Sequence, residues 1–532
     1  MASSKGITLT RVVLALFFLF AAILPLFGLL GNLADPKAWG IFSSPQFGPA
    51  CFNSLTISLI AMLLSLALAL TISWVFCRTA IRGKGAFAVI MTLPMLLPSL
   101  AIGMGLVFLL GSNGILTNLL GLDNSIYGYW GIVVGGVLYS FPSAFLLVYD
   151  VLKNEDASPY EAADVLGIPK WNQFTGITLP YLRKPLFSAA FATFTLVVTD
   201  YGVPLMVGGK TMTLPVLMYQ EVIGLLNFGT GASIGFILLI PAIVAFVVDV
   251  LNKDAGRMGF VKKQRNIEPS RARDAAGYLV AVAASIAIIL PIAVFVLVAF
   301  VTKYPIDLTF TLGNIARATN LNVGVYWGNS LAIALAVSCI GTVLSYFAAY
   351  VTARVGGRAS RVLHLVCITT LAIPGMVLGL SYVFAFSGTP LYGTLGILIL
   401  VNIVHFFASP YLLAYNAFGK VNRNLEAVGA TLGANRWYIL KDVLVPQTAG
   451  TIAEMFSYFF VNCMVTISAV AFLASTLDMP LALLITDFDA QRLTECAALV
   501  SLIILVTNIA LKAIVALAKK LLAKRTGLPA FE

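Results

Sequence analysis

Only 22 of the 532 residues are Asp or Glu, and only two are His. Groups able to move protons or hold ions are therefore few. Asp200 lies deep in the apolar stretch TFTLVVTDYGVPLMVGG, followed at once by Tyr201, Gly202 and Pro204. An ionised Asp near a bilayer midplane costs about 2.5–3.5 kcal/mol on insertion scales, so it needs a wet cavity or a polar partner. Gly202 and Pro204 loosen a helix and free backbone carbonyls to line a passage. Two readings follow. Asp200 and Tyr201 line a solute path, with Asn462, Thr466 and Ser468 as counterparts later in the chain, or Asp200 only caps a kinked helix end. Glu454, near the start of a later apolar run, suits a gate or an interface better than solute contact. His364 and His405 stand far apart and the six cysteines form no CxxC pair, so neither a metal site nor a bound cofactor is expected. PLMVGGKT (204–211) has Pro204 where GxxxxGK[ST] needs its first glycine, so the chain reads as having no ATPase site and as no enzyme.

A second concentration of polar residues is Ser158–Pro180, SPYEAADVLGIPKWNQFTGITLP. Ser158 as N-cap, Pro159 at N1 and Glu161 at N3 spell a capping box, which predicts a short helix over 159–166. Gly167 is placed to stop it with φ > 0, and Pro169 prevents its continuation. The device recurs with Asn424 as cap and Gly433 as stop. In each copy nine residues separate the glycine from a β-branched residue opening ITLP (177–180) or VLVP (443–446). A connector needs no repeated spacing, whereas a docking element does. Trp171 and Trp437, four residues beyond each glycine, are expected to pack each short helix back onto the body of the protein.

These segments sit between long apolar runs. The chain is 60% hydrophobic, against roughly 45–50% in soluble domains, which indicates an integral membrane protein. Twelve runs have the length of about 20 residues needed to cross hydrocarbon: 11–33, 52–77, 86–111, 130–152, 185–207, 230–251, 277–301, 328–353, 362–386, 395–417, 449–475 and 496–518. The first follows a short basic start and reads as a retained helix rather than a cleaved leader. With both termini in the cytoplasm, only Lys37, Lys210, Lys303, Arg317 and Arg492 of the 33 Lys and Arg fall outside. This positive-inside asymmetry explains the +11 net charge, so nucleic acid is not an expected partner; lipid is.

The chain also repeats itself. FNSLTISL (52–59) and GNSLAIAL (328–335) place Asn53 and Asn329 in register 276 positions apart, and the two loop endings lie 266 apart. Six helices followed by six helices form a parallel duplication: a first domain over 1–251 with its loop at 153–184, a basic linker over 252–276, and a second domain over 277–532 with its loop at 418–448.

E161-A-A-D-V-L-G167, followed by nine residues and ITLP, resembles the EAA signature of permease subunits of ATP-binding-cassette importers. The second copy departs from it. Aligned on Gly433, Ala427 takes the Glu position and Glu426 lies one residue earlier. The resemblance implies an all-α protein of two tandem six-helix permease domains in a bacterial inner membrane. Glu161, Ala162, Ala163, Gly167, Glu426, Ala427 and Gly433 would then belong to two coupling helices. It further implies two copies of a cytoplasmic ATPase, which would hold the ATP and Mg, and an extracytoplasmic solute-binding protein. Fused permeases of this kind are similar to those for ferric iron, thiamine, polyamines and 2-aminoethylphosphonate. VVTDYGVPLMVGG (197–209), NFGTGASIGFILLIPAIVAFVVD (227–249) and VNCMVTISAVAFL (461–473) look most like the aminoethylphosphonate branch. An ion-coupled secondary carrier is the rival class; it would need more buried ionisable groups and would leave the twin loops unexplained.

Overall fold

The computed structural model describes residues 5–122, 125–252, 267–422 and 424–526. Most of the expected linker therefore lies outside the described residues. Its end enters helix Arg271–Ala299. The described residues are helical apart from loops and one antiparallel hairpin, Val301–Lys303 with Asp307–Phe310, which the hydrophobic pattern did not foretell.

Among the described residues eight helices are long and apolar enough to span a membrane, or ten if two bent pairs each count as one. Ten of the twelve apolar runs thus coincide with a candidate span. Pairs Arg358–Ala372 with Gly375–Phe386 and Leu395–Phe406 with Ala408–Lys420 bend by 107° and 50°. Proline is the cause. Ile373 precedes Pro374 and is extended, as the proline ring requires, and Pro410 has no amide to offer the carbonyl of Phe406. Run 86–111 breaks in the same way, with Leu97 extended ahead of Pro98 and a new helix, Ser99–Leu110, behind it. The two runs left over end early at equivalent places: helix Leu179–Val198 stops short of Asp200, and helix Ala449–Val465 stops short of Thr466.

The chain packs as two compact units, each drawing on both halves of the sequence. One contains Phe42–Tyr219 and Ile240–Thr311. Its core stacks Phe141, Phe145 and Tyr149 against Phe76, with Met91, Leu182 and Ile288 around them. Ser65 and Ser140 hydrogen-bond at 2.9 Å between helices Phe47–Arg78 and Tyr129–Lys153. Such small polar residues let helices approach where lipid supplies no hydrophobic drive.

The other unit contains Met1–Ile41, Gln220–Leu239 and Leu312–Glu532. Here the first helix lies along Gly375–Phe386: a Cβ at Gly28 would meet Phe384 Cβ and the Ala385 amide nitrogen at 3.4 Å, and Tyr382 Oη donates to the Ala21 carbonyl. Arg11 reaches the Gly356 carbonyl and Ser360 Oγ. The repeated Asn-Ser pairs do the same work in each unit. Asn53 and Asn329 donate to the carbonyls of Met212 and Leu477, while Ser54 and Ser330 accept from the amides of Leu214 and Leu481.

Candidate functional site

Both short loop helices form, as Ser158–Val165 and Asn424–Thr431. Their starts differ from expectation. Ser158 is not the cap: Ala157 before it already has helical angles, and no side-chain cap bond or capping box with Glu161 forms. Asp156 Oδ1 accepts from the Ser158 amide at 3.1 Å and from its hydroxyl at 2.9 Å. Asn422 Oδ1 accepts from the Asn424 amide at 2.9 Å. Asp156 and Asn422 are themselves 266 positions apart. An Asx side chain closes naturally on the amide two residues ahead, and that local turn forestalls the box.

The stops are as the spacing requires. Gly167 and Gly433 take φ of +68° and +72°, where a Cβ would be strained. The Ile168 and Ala434 amides then reach back to the Ala163 and Gly429 carbonyls, both at 2.9 Å, completing Schellman turns. Just before each glycine, Leu166 and Leu432 are 75% and 79% exposed, and Trp171 and Trp437 are 71% and 56% exposed. Trp171 stacks on Phe174 and Trp437 on Phe347, so each indole packs with one face and presents the other. The packing expected for them is only half of their position.

What holds each helix in place was not foreseen. Arg354 is 3% exposed at its side chain and forms a bidentate pair with Glu426, at 2.6 and 2.8 Å. It also donates to the carbonyls of Phe418, Val421 and Asn422. Glu426, 26% exposed at its side chain, is thus held by the Arg354 guanidinium. In the first copy Arg78 pairs with Glu155 and lies over the rings of Trp74 and Tyr160. Tyr160 donates to Glu155 and is hydrogen-bonded to Thr178 at 2.7 Å. Burial, reinforced by the Glu155 contact, pushes the Tyr160 phenol up to about 12. Arg78 and Arg354 are 276 positions apart, the same offset as Asn53 and Asn329, and that was the available signal. Glu161, Ala162 and Ala427 are exposed, whereas Ala163 is buried.

Asp200 is nearly buried, and both its oxygens are engaged. Oδ1 accepts from the Gly202 amide at 3.3 Å and Oδ2 from the Val203 amide at 2.9 Å. This is the geometry of a brace across a helix break. Tyr201 is buried and stacks on Tyr219 at 5.1 Å. Asn462 Nδ2 donates to the Tyr458 carbonyl, and Thr466 begins the non-helical stretch after Val465. Asp200 and Tyr201 belong to one packing unit, and Asn462 and Thr466 to the other. Glu454 pairs with Lys519 at 2.6 Å. Among the described residues no group of three or more His, Cys, Asp and Glu is placed to hold a metal ion.

The twin loop helices have a counterpart among known proteins. The family profile described as binding-protein-dependent transport system inner membrane component matches residues 78–255 and again 341–526, one loop helix in each match. The chain belongs to this family. It is a fused permease subunit with two copies of the family's domain in tandem. A putative ferric transport system permease protein of Haemophilus influenzae is 24% identical over 464 residues, covering 84% of this chain and 72% of that one. The molybdenum transport system permease protein of Azotobacter vinelandii is 31% identical over 176 residues, covering 32% of this chain and 78% of its own length. The sulfate transport system permease protein of Escherichia coli is 25% identical over 261 residues, covering 47% and 94%.

Proposed function

We propose that this permease forms the membrane path of an ATP-binding-cassette importer, with both termini in the cytoplasm and one copy of a separate ATPase docked at each loop helix. The observation that carries the reading is the repeated exposure of Leu166 and Trp171 in one loop and of Leu432 and Trp437 in the other. Large apolar side chains this exposed, in register on two rigidly stopped helices, suit a partner's groove. Glu161, Ala162 and Gly167 face the first ATPase copy, and Ala427 and Gly433 the second. The solute arrives on an extracytoplasmic binding protein. ATP and Mg belong to the partner ATPase.

The solute proposed is 2-aminoethylphosphonate, on the strength of the stretches 197–209, 227–249 and 461–473. Ferric iron is the second reading, favoured by the ferric permease that aligns along most of the chain. Reconstitution with the ATPase and binding protein from the same cell tests both parts. Stimulated hydrolysis and uptake of labelled aminoethylphosphonate support the proposal, and uptake of iron alone replaces the solute. ATP hydrolysis by the pure chain, or failure of any ATPase to bind it, overturns the importer reading.

A further inference from the structure

Helix Arg271–Ala299 carries an exposed apolar stripe of Leu279, Val282, Ile286, Ile289 and Val296. Steps of three, four, three and seven residues stay on one face of a helix. On a helix that spans a membrane, an uncovered apolar face of this length meets acyl chains. The next position in the series is Phe300, just past the helix end. Its ring stacks on Phe310 of the hairpin with centroids 6.1 Å apart, and the Thr311 amide donates to its carbonyl at 2.8 Å. The apolar surface of the helix therefore runs on into strand Asp307–Phe310.

That strand has two unlike faces. Successive side chains of a strand point to opposite sides, and Leu308 and Phe310 alternate with Asp307 and Thr309. Ile306, Leu308 and Phe310, two residues apart, are each more than half exposed. The other side is a polar net. The Thr302 and Thr309 hydroxyls lie 2.8 Å apart, and Asp307 Oδ1 accepts from the Thr309 hydroxyl at 2.7 Å and its amide at 3.0 Å. These bonds hold the Asp307 carboxyl below its usual range, so this side keeps a charge that belongs in water. Lys303 is paired in register with Asp307 and shares its side. Tyr304 fixes the hairpin to the bundle, its hydroxyl shared between the carbonyls of Phe108 and Asn113 at 2.8 and 3.0 Å. A two-stranded hairpin has outer edges of amides and carbonyls that hydrocarbon cannot satisfy. Such an element is restricted to the boundary between headgroups and acyl chains.

We propose that hairpin 301–310 is an interfacial anchor, with Ile306, Leu308 and Phe310 seated in the lipid leaflet where helix Arg271–Ala299 ends, and Lys303, Asp307 and Thr309 turned to water. The partner is the bilayer surface itself, and the anchor fixes the depth of that helix end. Calling the leaflet the outer one rests on the cytoplasmic termini of the proposed function; the anchoring needs only that the helix spans.

The test uses the full chain in lipid nanodiscs that hold one copy each, with its six native cysteines replaced. Ile306→Cys, Leu308→Cys, Phe310→Cys, Lys303→Cys and Thr309→Cys are introduced singly and given a nitroxide label. Collision with oxygen, which concentrates in lipid, is compared with collision with a water-soluble nickel chelate. Labels at 306, 308 and 310 should favour oxygen and report depths of about 5–10 Å into the boundary, while those at 303 and 309 should favour the chelate. If Phe310→Cys fails to insert for want of the Phe300 stack, the labels at 306 and 308 read the same face. Chelate access at 306 and 308 equal to that at 303 and 309 overturns the anchor. Exclusion of both reagents, with or without an added extracytoplasmic binding protein, also overturns it and gives the face to protein contact. Nanodiscs leave both membrane surfaces open and need no ATPase, so the readings fail separately. A reversed orientation, read by protease at the termini, renames the leaflet and leaves the anchor standing.

Discussion

The two loop helices share their stops and their Asx caps but not their anchors. In the second copy one buried arginine does almost everything, with Arg354 gripping Glu426 and three carbonyls. In the first copy the load is spread over Arg78, Glu155, Tyr160 and Thr178, with two aromatic faces under the guanidinium. Glu426 occupies the position of Tyr160, one residue before the place where a signature Glu would stand. A duplicated helix thus keeps its shape and changes its fastening. The second loop depends on one ion pair, and the first on a network in which any one member is partly backed by the rest.

That contrast can be broken most directly at the arginines. Arg354→Ala leaves the Glu426 carboxylate and three carbonyls without their donor; because Glu426 is 26% exposed, the cost should fall at or below the low end of the about 3–5 kcal/mol for a fully buried pair. Arg78→Ala should cost less, because Tyr160 still donates to Glu155. Thermal unfolding and limited proteolysis at each loop compare them. Equal damage from both would refute the difference in fastening.

At the glycines the copies should behave alike. Neither Gly167 nor Gly433 has a neighbour within 4 Å of a would-be Cβ, so Val at either place pays only for φ > 0, about 1–3 kcal/mol. Each variant should lower transport and ATPase stimulation while the bundle stays folded, and Asn, which tolerates this conformation, should recover most of the loss. Normal transport by Gly167→Val with its ATPase bound would sink the coupling role.

Gly429 sharpens the comparison further. It is the counterpart of Ala163, and a Cβ there would meet Ile439 Cδ1 at 2.5 Å. Gly429→Ala should therefore cost about 1–2 kcal/mol by overpacking, relieved by Ile439→Ala, while Ala163→Gly costs only about 1 kcal/mol in helix propensity. A double-mutant cycle on unfolding reads the coupling; additive effects would refute it. The smallest effect belongs to Glu161→Gln. With no capping box to lose, helix stability should move by no more than about 0.5 kcal/mol, and circular dichroism of the folded chain should be unchanged. Glu161→Lys should lower ATPase affinity instead, measured by titrating the partner.

The sequence alone determined the membrane class, the twelve apolar runs, the duplication and the stops at Gly167 and Gly433. Each depends on a local rule: run length against bilayer thickness, a fixed offset between repeats, or a backbone angle that only glycine takes easily. Even the missed Asx caps were legible, two residues before each predicted start. Tertiary structure decided the rest. Whether Glu426 faces outward or meets Arg354 depends on a contact 72 residues away in the chain, and no helical period encodes that distance. The bracing role of Asp200 depends on the helix break before Gly202, which turns two amides toward its carboxylate. The first helix packing with the second half, and the hairpin at 301–310, likewise belong to the three-dimensional arrangement. A hydrophobic pattern states that a face must be buried but not which surface will bury it, because apolar contact is non-directional and many partners satisfy it equally.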